Sequence, residues 1–545
     1  MKIALIQINP VIGDFPANSA RIRHFLDQAR QAECALAVLP ELALSGYPPQ
    51  DYLEHSAFLA AHDQALSELI RDTVGIAVIC GAITRHSGTT GKALHNSALL
   101  FADGRLLFAA HKRLLPTYDV FDESRHFEPG ASSAPFTYHG LRLGLTICED
   151  IFNEDDSVPR PLYAANPLAD LAAGGIDLLI NIAASPFTIG KQSRRFALFS
   201  QLCRKYCTPL CYVNQVGGQD GVLFDGASMV IDNRGRLCRH ARSCGEDLLV
   251  VDTTTLQPMP PPPTDEETDL VLAALAMGCR DYVRKCGFSR VLLGLSGGID
   301  SALTAAVAVH ALGRENVMGV ALPSPYTAPE SIEDGRRLAD NLGIRFAVVP
   351  ITDAFASLRS ALAPLFADRP EDLTEQNLQA RIRGTLLMAM ANKFGALLLS
   401  TGNKSEMAVG YCTLYGDMAG ALAPLADVPK QLVYELARHV NRQGEIIPAR
   451  TLWRPPTAEL APNQTDQDDL PPYEVLDPIL QAYLEDHLSL EEIVARGFAR
   501  TMVEDIIRRI KKNEYKRHQA AMGLKITSKA FGSGRRYPVA QNFRE

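Results

Sequence analysis

The stretch 290–301, Arg-Val-Leu-Leu-Gly-Leu-Ser-Gly-Gly-Ile-Asp-Ser, has the residue types and spacing of an anion-binding turn. Its apolar run at 291–295 predicts a buried strand, and residues 300–310 predict a helix. Gly297 and Gly298 lie in the turn, where they allow the backbone to approach a ligand closely. Because the unpaired N–H groups and the dipole of a helix N-terminus attract anions, this turn can hold a phosphate.

Three polar side chains of the turn suit a nucleoside triphosphate and its metal. The hydroxyls of Ser296 and Ser301 can donate to phosphate oxygens, and Asp300 can bind Mg²⁺, which prefers oxygen ligands. The turn lacks the spacer and the Gly-Lys ending of a Walker A loop, and it is not Gly-x-Gly-x-x-Gly. It resembles the SGGxDS loop of the ATP-pyrophosphatase (PP-loop) superfamily, which implies cleavage of ATP between its α and β phosphates.

A second constellation, Glu41, Lys112 and Cys148, lies in the first half of the chain, where each residue comes at the end of a predicted strand. Attack on an amide needs a thiol nucleophile, a base for its proton, and a cation or N–H groups for the oxyanion. Taken singly, each residue has a structural explanation as a strand-terminal carboxylate, a surface lysine or a buried thiol. Together they resemble the Glu-Lys-Cys triad of the nitrilase superfamily.

The nitrilase resemblance implies a role for each residue. Glu41 would be the base, Lys112 would stabilise the transition state, and Cys148 would be the nucleophile. The N–H of Glu149 would contribute to the oxyanion hole. Glu123 lies in a segment similar to that of glutaminase members, and the sequence leaves open whether it is catalytic or supporting.

By the same resemblance, three residues would hold glutamine: Tyr118, Ser185 and Lys191. Lysine or arginine would suit a carboxylate at the third position. Arg194 and Arg195 follow close in sequence and are two other cations of this segment.

The elements that must position these residues alternate between strands and helices in the N-terminal half. A helix is predicted at 18–32 and a hairpin turn at Asp103-Gly104. Strands are predicted at 3–8, 35–40, 76–83, 97–101, 141–148, 178–183, 210–214, 229–231 and 248–251. The nitrilase resemblance implies that they form an α-β-β-α sandwich.

Consecutive prolines within 257–268 favour an extended linker, because proline cannot continue a helix or a central strand. The predicted domains are therefore a glutaminase domain at 1–255, a linker at 256–268 and a second domain at 269–545. A long helix at about 266–286 would lead into the Ser-Gly-Gly turn.

The C-terminal half predicts buried strands at 291–295, 317–322, 346–350 and 396–400, separated by helical stretches. This pattern indicates a doubly wound, Rossmann-like parallel sheet with helices on both faces. Ligands of such sheets bind beyond the carboxyl ends of the strands. The segment 401–406 therefore reaches the same cleft as the turn, and Glu406 is the natural second carboxylate for magnesium beside Asp300.

A series of motifs in this half resembles NAD synthetase: Thr-Glu-Gln-Asn-Leu-Gln-Ala-Arg-Ile-Arg at 374–383, Ser-Thr-Gly-Asn-Lys-Ser-Glu-Met at 400–407, Val-Pro-Lys at 428–430, Pro-Pro-Thr-Ala-Glu-Leu at 455–460 and Asn-Glu-Tyr-Lys-Arg at 513–517. Joined to a nitrilase-like half, the whole chain resembles the glutamine-dependent NAD synthetases. The resemblance implies ATP-dependent amidation of deamido-NAD through an adenylated intermediate, with ammonia from glutamine, as the final step of NAD biosynthesis.

The resemblance also implies the substrate contacts of this half. ATP would contact Gly294, Leu295, Ser296, Gly297, Gly298, Ile299, Asp300, Ser301, Thr401 and Lys430. Deamido-NAD would contact Asn377, Glu406 and Lys516, and Mg²⁺ would bind Asp300 and Glu406. Glu406 is thus assigned to both the metal and the dinucleotide, and the sequence does not decide between them.

Composition bounds these expectations. The chain has 545 residues, 47% of them hydrophobic and 21% charged, and a net charge of −8, which argues against a nucleic-acid partner. It has neither a signal-peptide pattern at its start nor an apolar run long enough to span a membrane, so we expect a cytoplasmic protein whose cysteines are reduced. The family resemblance implies a homo-oligomer, at least a dimer.

Four other interpretations compete with this one. Asparagine synthetase uses an N-terminal cysteine, whereas residue 2 is Lys2, and GMP synthetase has Gly-x-Cys-x-Gly around its nucleophile, whereas Cys148 lies in Ile-Cys-Glu-Asp. An amidase with a non-catalytic C-terminal module would not depend on ATP. A nucleotide-sensing protein would bind ATP without releasing pyrophosphate.

Overall fold

The computed structural model describes residues 1–154, 160–260, 267–367, 369–462 and 464–543. The chain divides into two compact units, Met1–Leu270 and Val271–Glu545. The predicted linker falls partly on 261–266, which lie outside the described residues.

Unit 1 contains two six-stranded sheets and a separate hairpin. The strands are β1 (Lys2–Gln7), β2 (Leu36–Val38), β3 (Ala77–Arg85), β4 (Leu94–Ala102), β5 (Arg105–His111), β6 (Phe136–Tyr138), β7 (Leu141–Ile147), β8 (Leu178–Ala183), β9 (Leu210–Asn214), β10 (Val216–Gln219), β11 (Val222–Asp225), β12 (Met229–Ile231), β13 (Leu237–His240) and β14 (Asp247–Asp252). The helices are α1 (Phe15–Gln31), α2 (Ser56–Arg71), α3 (Pro167–Ala173) and α4 (Lys191–Tyr206). The sheet orders are β14-β1-β2-β3-β4-β5 and β13-β12-β9-β8-β7-β6, and β10 pairs with β11.

The two sheets of unit 1 pack face to face between helices. Because side chains alternate along a strand, Ile3 and Leu5 of β1 face a core shared with β7, while Ala4 and Ile6 pack with α1 and α2. Apolar residues of α3 and α4 pack with the second sheet. The predicted α-β-β-α sandwich is confirmed.

Strand pairing in unit 1 adds features that local patterns did not predict. The hairpin at Asp103-Gly104 is confirmed, because β4 and β5 pair antiparallel across it. Strand β13, which follows the turn after β12 and pairs with β12, was not predicted. The last strand of unit 1, β14, pairs antiparallel with β1 in the first sheet, with Lys2 opposite Asp252. The long helix α2 was also not predicted.

Unit 2 contains one six-stranded sheet and most of the helices. Its strands are β15 (Val291–Gly294), β16 (Val317–Ala321), β17 (Arg345–Val348), β18 (Leu397–Leu399), β19 (Leu422–Ala423) and β20 (Met522–Gly523). The helices are α5 (Glu267–Lys285), which contains the division between the units, α6 (Ile299–Leu312), α7 (Pro329–Leu342), α8 (Thr352–Phe366), α9 (Leu373–Phe394), α10 (Lys404–Val409), α11 (Lys430–Val440), α12 (Ala449–Trp453), α13 (Tyr473–Leu484), α14 (Leu490–Ala495), α15 (Arg500–Lys512) and α16 (Glu514–Arg517).

The sheet of unit 2 is parallel throughout, in the order β17-β16-β15-β18-β19-β20. Helices α6 and α7 pack on β15 to β17, whereas α9 packs its Ala391 against Leu292 and Leu398. The predicted doubly wound sheet is confirmed. The strand order reverses between β15 and β18, which is where ligands of such sheets bind.

None of the helices in the described ranges combines the length and the apolar character needed to cross a membrane.

Candidate functional site

Glu41, Lys112 and Cys148 are buried together in unit 1, at 0%, 1% and 3% exposure. The ammonium of Lys112 lies 2.7 Å from Glu41 Oε1 and 2.7 Å from Glu123 Oε1. Cys148 follows β7 and begins a short 3₁₀ turn, Cys148–Ile151. Its thiol is close enough to Glu41 and Lys112 for their charges to act on its pKa. Strand ends from both sheets thus bring the predicted residues to one place.

Glu41 is fixed by hydrogen bonds to both of its carboxylate oxygens. Asn96 Nδ2 donates to Oε1 at 2.6 Å, and the Ala184 backbone N–H donates to Oε2 at 2.9 Å. The segment that carries Glu41 lies directly on Gly81 of β3, where a Cβ atom would come within 2.6 Å of the Glu41 carbonyl carbon. A glycine inside a strand is a known sign of close backbone approach, but the sequence analysis did not use it here.

Cys148 adopts a strained backbone conformation in a buried turn. Its φ is +43°, in the left-handed region that residues with a side chain rarely adopt. Such conformations concentrate at functional sites. Burial, and then the charge of Glu41, raise the pKa of the thiol well above its usual range, against the opposing effect of Lys112. The resting residue is therefore a thiol, which needs a base before it can attack.

Lys112 stays charged although it is buried. Burial alone would lower its pKa, but the carboxylates of Glu123 and Glu41 outweigh that effect and raise it well above the usual range. Burial raises the pKa of Glu123 to about 7, although Lys112 and a hydrogen bond from Tyr47 lower it. Glu123 is therefore a second acidic partner of Lys112, and it titrates close to neutral pH.

Two of the three predicted glutamine residues, Tyr118 and Lys191, interact with Glu149. The Tyr118 hydroxyl donates to Glu149 Oε1 and Oε2 at 3.0 and 2.9 Å, and Tyr163 donates to Oε1 at 3.1 Å. Lys191, the first residue of α4, acts electrostatically on the same carboxylate. Ser185 follows the Ala184 N–H that binds Glu41, and its own N–H donates to Asn214 Oδ1 at 2.8 Å. Tyr163 was not predicted from the sequence.

The two arginines near Lys191 differ in their surroundings. Arg194 is exposed. Arg195 is 1% exposed, pairs with the buried Asp225, and donates to the Tyr212 hydroxyl at 3.1 Å. Arg195 is therefore part of the core, whereas Lys191 acts on Glu149 together with Lys112.

The Ser-Gly-Gly turn of unit 2 connects β15 to α6, as predicted. The Ser301 hydroxyl donates to Gly298 O at 2.9 Å and accepts the Ser296 N–H at 3.3 Å. Gly297 has a φ of +81°, and a Cβ atom there would lie 2.6 Å from Ser331 O. Both the backbone conformation and the available space therefore require glycine at this position.

A cavity of about 300 Å³ lies at the carboxyl ends of β15 and β18. Of the predicted ligand contacts, those that line it are Gly294, Leu295, Ser296, Gly297, Gly298, Ile299, Asp300, Ser301, Thr401, Glu406 and Lys430. Two predicted dinucleotide residues, Asn377 and Lys516, are not among its lining residues. Asn377 accepts a hydrogen bond from Thr413, and Lys516 donates to the carbonyls of Gly410 and Cys412.

Lys430 lies between the two carboxylates that were predicted to bind metal. Its ammonium is 2.6 Å from Asp300 Oδ2 and 3.1 Å from Glu406 Oε1, and Asn403 Nδ2 donates to Asp300 Oδ1 at 2.9 Å. Burial raises the pKa of Glu406 to about 7 against the effect of Lys430, while Asp300 and Asp466 add to the rise. Two acidic groups thus share one cation in the resting cavity.

Arg383 and Glu459 also line the cavity, although the sequence analysis named them only within motifs. Burial lowers the pKa of Arg383 to about 10, and its Nε donates to Leu322 O at 2.9 Å. Glu459 accepts from Ser331 at 2.6 Å and from Arg454 at 2.8 Å. The segment 454–460 therefore contacts Ser331, the same residue that Gly297 faces.

Two family models match the chain and together span most of it. The model described as carbon-nitrogen hydrolase matches residues 2–257, and the model described as NAD synthase matches residues 271–520. Each match falls on one of the two sites described above.

Similar proteins match over the full length. The glutamine-dependent NAD(+) synthetase of Synechocystis sp. is 48% identical over 99% of both chains, and that of Thermotoga maritima is 42% identical over 100% of this chain and 99% of its own. The structure of the glutamine-dependent NAD+ synthetase from Acinetobacter baumannii in complex with ADP has a TM-score of 0.79 and 40% identity, covering 99% of this chain and 98% of that one. The chain therefore belongs to the glutamine-dependent NAD(+) synthetase family.

Proposed function

We propose that the protein converts deamido-NAD to NAD with ATP, releasing AMP and pyrophosphate, and that it takes ammonia from glutamine. The observation that carries the proposal is the pair of sites in one chain. Unit 1 holds a buried thiol beside an ion-paired lysine and glutamate, and unit 2 holds an anion-binding turn in a cavity.

In unit 1, Cys148 Sγ attacks the side-chain amide carbon of glutamine while Glu41 takes the thiol proton. Lys112 and the Glu149 N–H stabilise the negative charge that develops on the amide oxygen. The C–N bond breaks, Glu41 returns the proton to the departing ammonia, and a thioester remains. Water then hydrolyses the thioester and releases glutamate. The raised pKa of Cys148 supports this order, because a thiol must lose its proton before it attacks.

Tyr118, Ser185 and Lys191 hold the glutamine in this proposal. An α-carboxylate needs a cation, which Lys191 supplies, and hydroxyl groups can donate to it. Glu149 adds a negative charge beside Lys191, which suits the α-ammonium group of the same substrate. A zwitterionic end group would thus meet both charges that it requires.

In unit 2, an oxygen of the nicotinate carboxylate attacks the α-phosphorus of ATP, and the bond to the pyrophosphate oxygen breaks. Ammonia then attacks the carbonyl carbon of the mixed anhydride, and AMP leaves. Residues 294–301, Thr401 and Lys430 bind ATP in this proposal, while Asn377, Glu406 and Lys516 bind deamido-NAD. Positioning and neutralisation of charge account for catalysis of this kind.

Magnesium fits the donor chemistry of the cavity. Asp300 and Glu406 offer the carboxylate oxygens that Mg²⁺ prefers, and ATP would supply phosphate oxygens. Lys430 engages one oxygen of each carboxylate, so an ion that uses those same oxygens must displace its ammonium. Bound Mg²⁺ would neutralise the phosphate charge. We propose Asp300 and Glu406 as its ligands.

The test is NAD formation by Cys148→Ala from deamido-NAD and ATP, with glutamine or with a high concentration of ammonium. We expect NAD from ammonium but not from glutamine. Cys203→Ala is the matched control, because Cys203 is also buried in unit 1 but lies near the end of α4 and is not one of the proposed site residues. It should keep both activities.

Other outcomes would reject parts of the proposal. If Cys148→Ala still uses glutamine, Cys148 is not the nucleophile. If it uses neither nitrogen source although the unmodified protein is active, the thiol matters for folding. If the unmodified protein makes no NAD from either source, the substrate assignment is wrong.

Two further expectations, on oligomeric state and on location in the cell, complete the proposal. We propose that the protein is a homo-oligomer, at least a dimer, and that it acts in the cytoplasm, both on the strength of its family. Light scattering of the purified protein tests the first, since a monomer mass would contradict it.

A further inference from the structure

Asp150 is a buried carboxylate for which the proposed chemistry has no use. It lies two residues after Cys148 and is 4% exposed. Its Oδ1 accepts the backbone N–H groups of Arg113 and Leu114 at 3.0 and 2.9 Å, and its Oδ2 accepts the N–H of Ile147 at 3.0 Å. One carboxylate thus binds three main-chain donors from two segments of the chain.

Those donors are the immediate neighbours of two proposed catalytic residues. Arg113 and Leu114 follow Lys112, and Ile147 precedes Cys148. Lys112 comes directly after β5, the edge strand of the first sheet, whereas Cys148 comes after β7 of the second sheet. Because no ladder of backbone hydrogen bonds among the described residues joins these two sheets, strand pairing does not fix one residue relative to the other.

The Ile147 bond also supports the strained turn at Cys148. Asp150 is the third residue of the short 3₁₀ helix, and its side chain accepts the N–H of the residue before that helix. This is the contact that a glutamate makes in a capping box. It holds the chain through Cys148, whose φ is +43°.

We propose that Asp150 is a positioning residue that fixes the nucleophile Cys148 relative to Lys112. The inference rests on the proposed glutaminase function of unit 1. A carboxylate can do this because it offers acceptor oxygens on both sides and no donor. In Asp150→Asn, an NH₂ group of nearly the same size must face either Ile147 N–H or the pair from Arg113 and Leu114. The hydrogen bonds to one of the two segments are then lost, although the volume of the side chain hardly changes.

The test compares Asp150→Asn with Asp232→Asn in the full-length protein. Asp232 is a matched control, because it is also 4% exposed and accepts two backbone N–H groups, those of Arg234 and Arg236, but lies in the turn after β12. Three assays are run: kinetics of glutamate release, which give kcat and KM; NAD formation from ammonium; and alkylation of Cys148 by iodoacetamide as a function of pH. Labelling of the other cysteines is measured in Cys148→Ala and subtracted.

We expect Asp150→Asn to lower kcat for glutamate release about tenfold or more, because small displacements of reacting groups are costly. KM for glutamine should change by less than about threefold, and ammonium-driven NAD formation should not change. The midpoint of the alkylation profile should shift, since the thiol would lie at a different distance from Lys112. Asp232→Asn should leave all of these values unchanged.

The proposal is overturned if Asp150→Asn matches Asp232→Asn in kcat and in alkylation profile. If Asp150→Asn does not fold, Asp150→Glu decides, because it keeps the carboxylate but moves it by one methylene group. Loss of kcat at an unchanged melting temperature would support positioning, and full kcat would contradict it. If the unmodified protein releases no glutamate, the proposed function of unit 1 has failed instead.

Discussion

Lys112 is a buried cation held by two buried carboxylates, and this charge arrangement governs the chemistry of unit 1. Removing an ammonium from water costs several kcal/mol, which ion pairs and hydrogen bonds must offset. Glu41 and Glu123 both lie 2.7 Å from it. Because burial disfavours a charged carboxylate, and because two negative charges face one positive charge, one carboxylate is easier to protonate than usual. Glu123 is that carboxylate, and its pKa is raised to about 7.

The titration of Glu123 predicts a pH dependence of glutamine hydrolysis. Above about pH 7 Glu123 is ionised and supports Lys112, and below that pH it takes up a proton and its attraction for the ammonium is lost. We expect kcat/KM for glutamate release to fall as the pH falls through about 7. Glu123→Gln should have low activity and lack this acidic limb, measured as glutamate release from pH 5.5 to 9.

Glu128→Gln is the control for this measurement. Glu128 lies in the same segment, but it accepts a hydrogen bond from the Lys92 N–H, away from Lys112. Its profile should match that of the unmodified protein. Superimposable profiles for Glu123→Gln and the unmodified protein would show that the acidic limb belongs to another group.

The sequence identified the residues whose types suffice for the chemistry, but not those that hold them. Glu41, Lys112 and Cys148 were predicted because a base, a cation and a thiol suit amide hydrolysis and because the three together resemble the nitrilase triad. Asn96 and Asp150 contact these residues or their neighbours through hydrogen bonds between segments far apart in the chain. No local pattern encodes such contacts, because they exist only once the two sheets have packed.

The turn between β15 and α6 depends on a single glycine for its shape. Gly297 has a left-handed φ, and its Cα faces the backbone of Ser331 in α7. The turn therefore cannot accept a side chain without moving either its own backbone or the start of α7.

We expect Gly297→Ala to impair ATP use. Its Cβ would lie 2.6 Å from Ser331 O and 2.8 Å from Ser331 Cα, and the left-handed φ adds about 1–2 kcal/mol of strain. NAD formation should fall about tenfold or more with glutamine and with ammonium alike. Glutamate release, which unit 1 carries out, should continue.

Gly287→Ala separates the effect of backbone strain from the effect of a steric clash of the added Cβ atom. Gly287 has almost the same φ, +82°, but a Cβ atom there would have no neighbour within 4 Å. This variant should have a similarly lowered melting temperature and normal NAD formation. If it loses as much activity as Gly297→Ala, general destabilisation and not the shape of the turn explains both results.

Strands and helices were predicted best where the hydrophobic pattern was locally complete. The strands at 178–183, 210–214 and 229–231 match β8, β9 and β12 at both ends. The two-residue strands β19 and β20 were not predicted, because so short a segment has no periodicity of its own. Their pairing comes from the sheet that they extend.

The whole chain consists of two compact units, each with its own core and its own candidate site. The reactions proposed for the two units share only ammonia. A variant in one site should therefore leave the reaction of the other site intact. The Cys148→Ala test changes unit 1 and follows unit 2; the next prediction changes unit 2 and follows unit 1.

Asp300→Asn should stop NAD formation from both nitrogen sources. It removes a carboxylate charge from the cavity and the ion pair with Lys430 at 2.6 Å, so we expect a loss of about 100-fold. Glutamate release should remain. Asp281→Asn is the control, because Asp281 also pairs with a basic side chain, that of Arg280, but lies in α5 and does not line the cavity.

Two results would contradict the division of labour. NAD formation from ammonium that survives in Asp300→Asn would exclude Asp300 from the synthetase site. Complete loss of glutamate release in the same variant would mean that the glutaminase reaction needs an intact site in unit 2.

The sequence by itself determined the parallel sheet of unit 2 through strand periodicity and, through its family resemblance, the sandwich of unit 1 and the candidate reacting residues, because periodicity, glycine turns and motifs are local properties of the chain. Only the tertiary structure decided that Lys112 is held by Glu41 and Glu123, that Lys430 lies between Asp300 and Glu406, and that Asn377 and Lys516 do not line the cavity. These outcomes depend on distances between segments far apart in the chain. Such distances, and the burial that shifts the pKa values, are set when the elements pack.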